Sequence, residues 1–377
     1  MKKISKIFAT LLAVALMASS FAACRLIRDA DEVKKIREEA KQQEADRLAA
    51  AELKEMMGET AITINDDITV DGAYYAYFYS THYSMQYSEL SAAQTQSSAT
   101  DAVETSDVSA SSEAAEASSE SSAASAEIVV DKAAVKKAAI DEIVELKTAH
   151  AKALASGIEL TDADNENIAS QVEAMKSQAS SQGLSYNGML SMMGTDEETV
   201  EQIIKEQFIV DRYYASLVAD KYVTAKHILV MSTVEASGEG ETATPARSAE
   251  ESKALVDSIK AQLDGGADFD TIMNEKSEDN PTVNTHYTFA KNEMDPAFEA
   301  AAYELKPNEV SGIVESSYGY HIIKRMDTKV DEIMGVYANS ADPDVTAVVT
   351  AEKEAIKASA KYTENAKVTA YFDTLYK

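Results

Sequence analysis

Ala225-Lys226-His227-Ile228-Leu229-Val230-Met231 is the stretch on which the fold turns, together with Ser316-Ser317-Tyr318-Gly319-Tyr320-His321-Ile322-Ile323-Lys324-Arg325 further on. Both read as strands, and each carries one histidine. Side chains alternate across a strand, so His227 shares a face with Ala225, Leu229 and Met231, while Ile228 and Val230 share the other. The segment between the two strands is rich in helix signals and is about long enough to cover one sheet face.

Those helix signals can be named. Ser248 with Glu251 three residues on has the form of a capping box, and Gly265-Gly266 marks the stop. Leu255, Val256, Ile259 and Leu263 form that helix's apolar stripe. Asp268 can cap a second helix holding Phe269, Ile272 and Met273. Asp295-Pro296 opens a third, because proline suits the first helical position. Its inward candidates are Phe298, Ala301, Ala302 and Leu305. Gly312–Val314 and Tyr320–Arg325 close the sheet, with Gly319 at the turn. The order strand, three helices, two strands predicts a small mixed domain over residues 222–327, with helices covering the sheet.

With these residues in view, the segment resembles the parvulin family of prolyl isomerases over roughly a hundred residues. Ala225–Val230 is similar to the family's opening strand and Tyr318–Lys324 to its closing strand. Lys276-Ser277-Glu278-Asp279 is similar to the segment that brings a Cys or Asp to the active site. The resemblance implies a four-stranded antiparallel sheet and X–Pro isomerisation, with His227, Asp279, His321 and Ser316 as catalytic residues. Met294 and Phe298 fall at its proline-pocket positions, and Phe289 is a third candidate for that pocket. One departure stands out. The family's Gly-Gly-Asp-Leu-Gly loop is replaced by Asn284-Thr285-His286-Tyr287-Thr288, where side-chain-bearing residues reach glycine-like shapes only at a cost. An active isomerase and a non-catalytic holdase of the same architecture therefore both stay open.

Outward from this domain the chain changes character. Lys2, Lys3 and Lys6 precede an apolar run from Ile7 to Met17, too short for a transmembrane helix of about 20 residues. A basic start, a short apolar run and small residues before a cut site read as an export signal over residues 1–23. Phe21-Ala22-Ala23-Cys24 resembles a bacterial lipobox, with Phe where Leu is commoner. Cys24 is the only cysteine, so it cannot form an intrachain disulfide, and lipidation is the expectation. Two or more acyl chains would anchor it stably. The expected location is thus the outer face of the cytoplasmic membrane of a Gram-positive-type cell.

Residues 24–60 read as a charged helical tether and residues 61–221 as a helical region, with aromatic density at Tyr74, Tyr75, Tyr77, Phe78, Tyr79, Tyr83 and Tyr87. Val135, Ala139, Ile143, Leu146 and His150 lie on one helical stripe. Residues 88–126 are nearly all Ser, Ala, Thr and acidic residues and read as a disordered insertion, lacking apolar material to offset the entropy of ordering. The layout resembles the chaperone region of PrsA and SurA foldases, so residues 328–377 are expected to return and complete it. The resemblance implies unfolded exported polypeptides as partners; related foldases often pair, which leaves a homodimer open. The overall expectation is an α+β chain, mainly helical, with one parvulin-type domain.

Composition sets exclusions. Sixty-four acidic against 35 basic residues give a formal net charge of −29, which argues against nucleic-acid binding because that needs basic surface. The five histidines are far apart and lack metal-ligand spacing. No Gly-x-Ser-x-Gly elbow supports a serine hydrolase. Amide rotation breaks no bond to the substrate, so neither cofactor nor metal is expected.

Overall fold

The computed structural model describes residues 30–104, 128–235, 246–279 and 286–376. The expected export signal, Cys24, the start of the expected tether, residues 105–126 of the Ser/Ala/acidic run, Asn284 and Thr285 lie outside them. In chain order the elements are α1 (Ala30–Gly58), β1 (Thr60–Ile64), β2 (Ile68–Asp71), α2 (Gly72–Glu104), α3 (Lys132–Ala155), α4 (Asp162–Ser181), α5 (Tyr186–Met193) and α6 (Glu197–Leu217). Then come β3 (Val223–Met231), α7 (Ala249–Asp264), α8 (Phe269–Lys276), β4 (Tyr287–Phe289), α9 (Pro296–Glu304), β5 (Val310–Glu315) and β6 (Gly319–Met326). The chain closes with α10 (Val330–Ile333), α11 (Pro343–Ser359), β7 (Tyr362–Glu364) and α12 (Ala366–Leu375). By contacts it divides into two units. One takes Met1–Lys152, Glu159–Phe208 and Ile356–Lys377; the other takes Ala153–Ile158 and Ile209–Ala355.

The helical unit is built from both ends of the chain. β1 pairs antiparallel with β2 on one side and with the C-terminal β7 on the other, Ile62 opposite Glu364. Asn65 and Asp66 turn the β1–β2 hairpin with positive φ, a conformation their short polar side chains tolerate. The aromatic run on α2 is core: Tyr75 meets Phe372 of α12 with ring centroids 5.9 Å apart, and Tyr79 meets Tyr376 at 5.5 Å. Gly72 starts α2 because a Cβ there would sit 1.9 Å from the Met56 carbonyl oxygen. Ser88–Glu104 continues α2 as helix and is not the disordered run expected from composition. Leu90, Ala92, Ala93, Gln94 and Gln96 are good helix formers, and α2 is already nucleated upstream.

The sheet unit holds four antiparallel strands in the order β4-β3-β6-β5. Ile228, Val230 and Ile322 pack under Val256 and Ile259 of α7 and Phe269, Ile272 and Met273 of α8. Val223, Ala225 and Ile323 face the other way, against Phe289 and α9's Phe298 and Ala302. The helices therefore divide between both faces, where the sequence length suggested cover for one. Each fully buried Ile or Val contributes about 1.5–3 kcal/mol. The capping box of Ser248 and Glu251, the Asp268 cap and the Asp295-Pro296 start all form as their residues dictate.

This unit begins before and ends after the 222–327 span. Tyr213 donates to Glu352 at 2.8 Å, Thr224 to Glu332 at 2.9 Å, and Ile333 and Val345 are fully buried. The return to the helical unit starts at Ile356 rather than at 328.

Candidate active site

β3 and β6 place the two histidines. Leu229 lies opposite His321 and His227 opposite Ile323, so the two imidazoles are diagonal neighbours on one sheet face. Their rings stack with centroids 5.1 Å apart and planes 15° from parallel, and their Nδ1 atoms are 2.9 Å apart. Phe298 from α9 stands edge-on to both, at 5.2 and 5.3 Å.

Asp279 reaches His227 because the residues before it are tied to the β3 backbone. Ser277 Oγ accepts from the Leu229 amide at 3.1 Å, and the Glu278 amide donates to the Leu229 carbonyl at 2.9 Å. Glu278 also accepts from the Met231 amide and from Arg247. Asp279 Oδ2 then lies 2.9 Å from His227 Nε2 and accepts the Tyr287 hydroxyl at 2.6 Å. At the far end Ser316 Oγ lies 2.6 Å from His321 Nε2 and accepts the Tyr318 amide at 3.1 Å. Gly319 makes that turn: its φ is +142°, and a Cβ would fall 2.3 Å from the Val230 carbonyl oxygen.

These partners assign the protons. With Asp279 ionised and His227 neutral, His227 donates from Nε2 and its Nδ1 accepts. His321 then donates from Nδ1, and its Nε2 accepts the Ser316 hydroxyl. Both rings are neutral in this arrangement. Burial lowers the proton affinity of His227 although Asp279 opposes the shift. Burial, and then the neighbouring His227, bring His321 down to about 4.

A cavity of about 530 Å³ opens beside the pair, lined by apolar Leu229, Met294 and Phe298, by Tyr287 and Tyr318, and by Asp279, Glu293 and Asp295 among others. Glu299 Oε2 accepts the Met294 amide and holds that residue on the wall. Two stacked, neutral histidines and an acid on the wall of a largely apolar cavity, with a serine behind them, form a site for binding and turning a group.

Residues 227–327 match the Rotamase family, described as the PPIC-type PPIASE domain. This stretch is a PPIC-type rotamase domain. Foldase protein PrsA 2 of Bacillus cereus is 28% identical over 200 residues, 48% of this chain and 62% of that protein. Foldase protein PrsA of Caldanaerobacter subterraneus is 32% identical over 184 residues, 46% of this chain and 60% of that protein. Peptidyl-prolyl cis-trans isomerase pin1 of Schizosaccharomyces pombe is 57% identical over 37 residues, 10% of this chain and 21% of that protein. The chain thus spans about six-tenths of the length of these PrsA relatives.

Within the rotamase domain the sequence-derived residues separate. His227, His321, Asp279 and Ser316 form one hydrogen-bonded line, and Met294 and Phe298 line the cavity. Ser316 lies behind His321 and is not on the cavity wall. Phe289 is not a pocket residue: it is 1% exposed, lies opposite Val223 one step further along the sheet, and supports Phe298 from beneath at 5.9 Å. His286 faces Glu332 at 3.6 Å and does not line the cavity. Sequence reading missed Tyr287 and the rim residues Glu293, Asp295, Ser317 and Tyr318. The Tyr-Thr-Phe alternation into Phe289 was the available signal for Tyr287, since residues two apart on a strand share a face.

Proposed function

We propose that this chain is a lipid-anchored extracytoplasmic foldase that isomerises X–Pro bonds and assists the folding of exported polypeptides. The observation that carries the proposal is the line Ser316–His321–His227–Asp279, whose last three members stand on the wall of a largely apolar cavity, in a domain of the rotamase type. Rotation about an X–Pro bond must overcome partial double-bond character, a barrier of about 18–20 kcal/mol. The catalyst need only favour the twisted amide over its planar forms. Met294 and Phe298 would hold the prolyl ring and exclude the water that stabilises the planar carbonyl. Asp279, held by His227, would place negative charge near a carbonyl oxygen whose resonance form is itself negative, and so disfavour the planar state.

Similarity to PrsA foldases supports the helical unit as a chaperone of the PrsA and SurA kind, and the basic and apolar start ending at Cys24 supports the anchor. The test uses the full chain in a protease-coupled proline-peptide assay beside an aggregation-suppression assay. Asp279→Ala should lower kcat/KM by about 10–100-fold, the worth of a hydrogen bond to a charged group, with an unchanged unfolding midpoint. Equal rates in the two proteins would remove Asp279 from the mechanism. Suppression without isomerisation would favour a non-catalytic holdase.

A further inference from the structure

The isomerase reading leaves unexplained why a tyrosine hydroxyl shares the same carboxylate oxygen as the active-site histidine. Tyr287 Oη and His227 Nε2 both donate to Asp279 Oδ2, at 2.6 and 2.9 Å. Tyr287 comes from β4, opposite Ala225 and therefore on the same sheet face as His227, and its ring stands edge-on to that imidazole at 5.7 Å and 74°. It also lines the cavity. Burial, and then Asp279, raise the proton affinity of its phenol, so the hydroxyl remains a donor throughout the working pH range.

Asp279 follows α8 outside any helix or strand. Ser277 and Glu278 tether the backbone just before it to β3. Two donors from two different strands converge on one oxygen of its carboxylate and aim that oxygen at His227. Fixing the carboxylate fixes the His227 tautomer, and each later proton in the line follows from it.

Resting on the isomerase reading, we propose that Tyr287 is a positioning residue: its hydroxyl locks Asp279 against His227 and thereby sets the proton order of the whole line to Ser316. It acts through Asp279 and need not touch the peptide.

The titratable groups that face this cluster are His321 from β6, Tyr318 just before β6, Tyr287 from β4, Asp279 after α8, and Glu293 and Asp295 before and at the start of α9. None is a fixed cation. Removing the tyrosine donor therefore leaves more of the carboxylate's charge for His227, which binds a proton more readily. The acid limb of the rate profile must move to higher pH.

Tyr287→Phe in the full chain keeps the ring and deletes the donor. The expected result is a loss of about tenfold in kcat/KM, with the acid limb raised by about half a pH unit or more. In an Asp279→Ala background the same substitution should change the rate less than twofold, because the acceptor it acts through is gone. A rate loss with an unmoved acid limb, or an equal loss in both backgrounds, would reduce Tyr287 to packing and overturn the proposal. An unchanged rate would do the same. Nitrogen-15 titration of the histidine rings in labelled wild type and Tyr287→Phe gives a second readout. If the wild type turns over no proline peptide, the isomerase reading fails, while a raised His227 midpoint still upholds the positioning role and identical midpoints overturn it.

Discussion

In the helical unit, Glu206 of α6 takes Lys147 from α3 at 2.7 Å, the Tyr74 hydroxyl from α2 at 2.7 Å and Gln202 at 2.9 Å, and the Lys147 ammonium sits 4.0 Å over the Tyr74 ring. In the sheet unit, Asp279, His227, His321 and Ser316 form a line of similar size, but its two middle members are neutral rings beside a 530 Å³ cavity. The first network buries a full ion pair, each side chain 8% exposed, and ties three helices together. Its members fix one another. The second leaves its protons with a choice of direction that one carboxylate decides. A buried charge pair fixes geometry, whereas a neutral imidazole pair holds a polar edge against an apolar cavity at a smaller desolvation cost.

The largest expected effect breaks the first network. Glu206→Leu strands the Lys147 ammonium, and loss of one partner from a buried pair costs about 3–5 kcal/mol. Adding Lys147→Met should recover most of that loss, because an apolar pair avoids the desolvation penalty. Denaturant unfolding of the full chain measures both. A single variant as stable as wild type would mean that the ion pair is not what holds α2, α3 and α6.

The second effect belongs to the histidine line. His321 binds its proton at about 4 when folded and near 6.5 when unfolded. Between those values the unfolded chain holds the extra proton, so stability is complete above pH 6.5 and is lost as pH falls toward 4. The difference is on the order of 2–3 kcal/mol, and His227 is shifted in the same direction. His150, half-buried in the helical unit, is lowered by burial too, so the measurement is a comparison. Stability of His321→Leu should fall less steeply across pH 6.5 to 4 than that of wild type. Parallel slopes would return the pH dependence to other groups.

How much of this was legible depended on whether a signal was local. The His227 and His321 strands, the Ser248 and Asp268 caps and the Asp295-Pro296 start each lie within a few residues, and each formed as read. β7 was missed because Tyr362–Glu364 is three residues long and becomes a strand only by pairing with β1, some 300 residues away. Phe289 was misassigned because apolar character does not distinguish a pocket wall from the layer beneath it. Tyr287 was passed over as part of an altered loop, since nothing in its neighbours reveals that Asp279 will lie 2.6 Å away. Helix in Ser88–Glu104 was underestimated because low hydrophobicity was weighed above alanine and glutamine propensity.

The smallest effect tests what the cavity charges do that the buried pair cannot. Lys147 cancels Glu206 inside the helical unit, but no Lys or Arg is among the described residues lining the sheet unit's cavity, while Asp279, Glu293 and Asp295 are. Against the cost of partial burial, the Ser317 hydroxyl and the first amides of α9 hold the Asp295 carboxyl below its ordinary range, so that charge persists at low pH. Two unit charges 4 Å apart in water interact by about 1 kcal/mol, which corresponds to roughly fivefold in rate constant. Peptides with Lys before proline should therefore be turned over about fivefold faster, in kcat/KM, than peptides with Glu or a phosphorylated residue there. The preference should shrink toward unity near 1 M salt, where screening acts over about 3 Å. Equal rates for Lys and Glu peptides at low salt would mean that the residue before proline lies beyond the reach of these carboxylates. A preference that survives high salt would point to a contact sheltered from solvent, closer in kind to the Lys147–Glu206 pair.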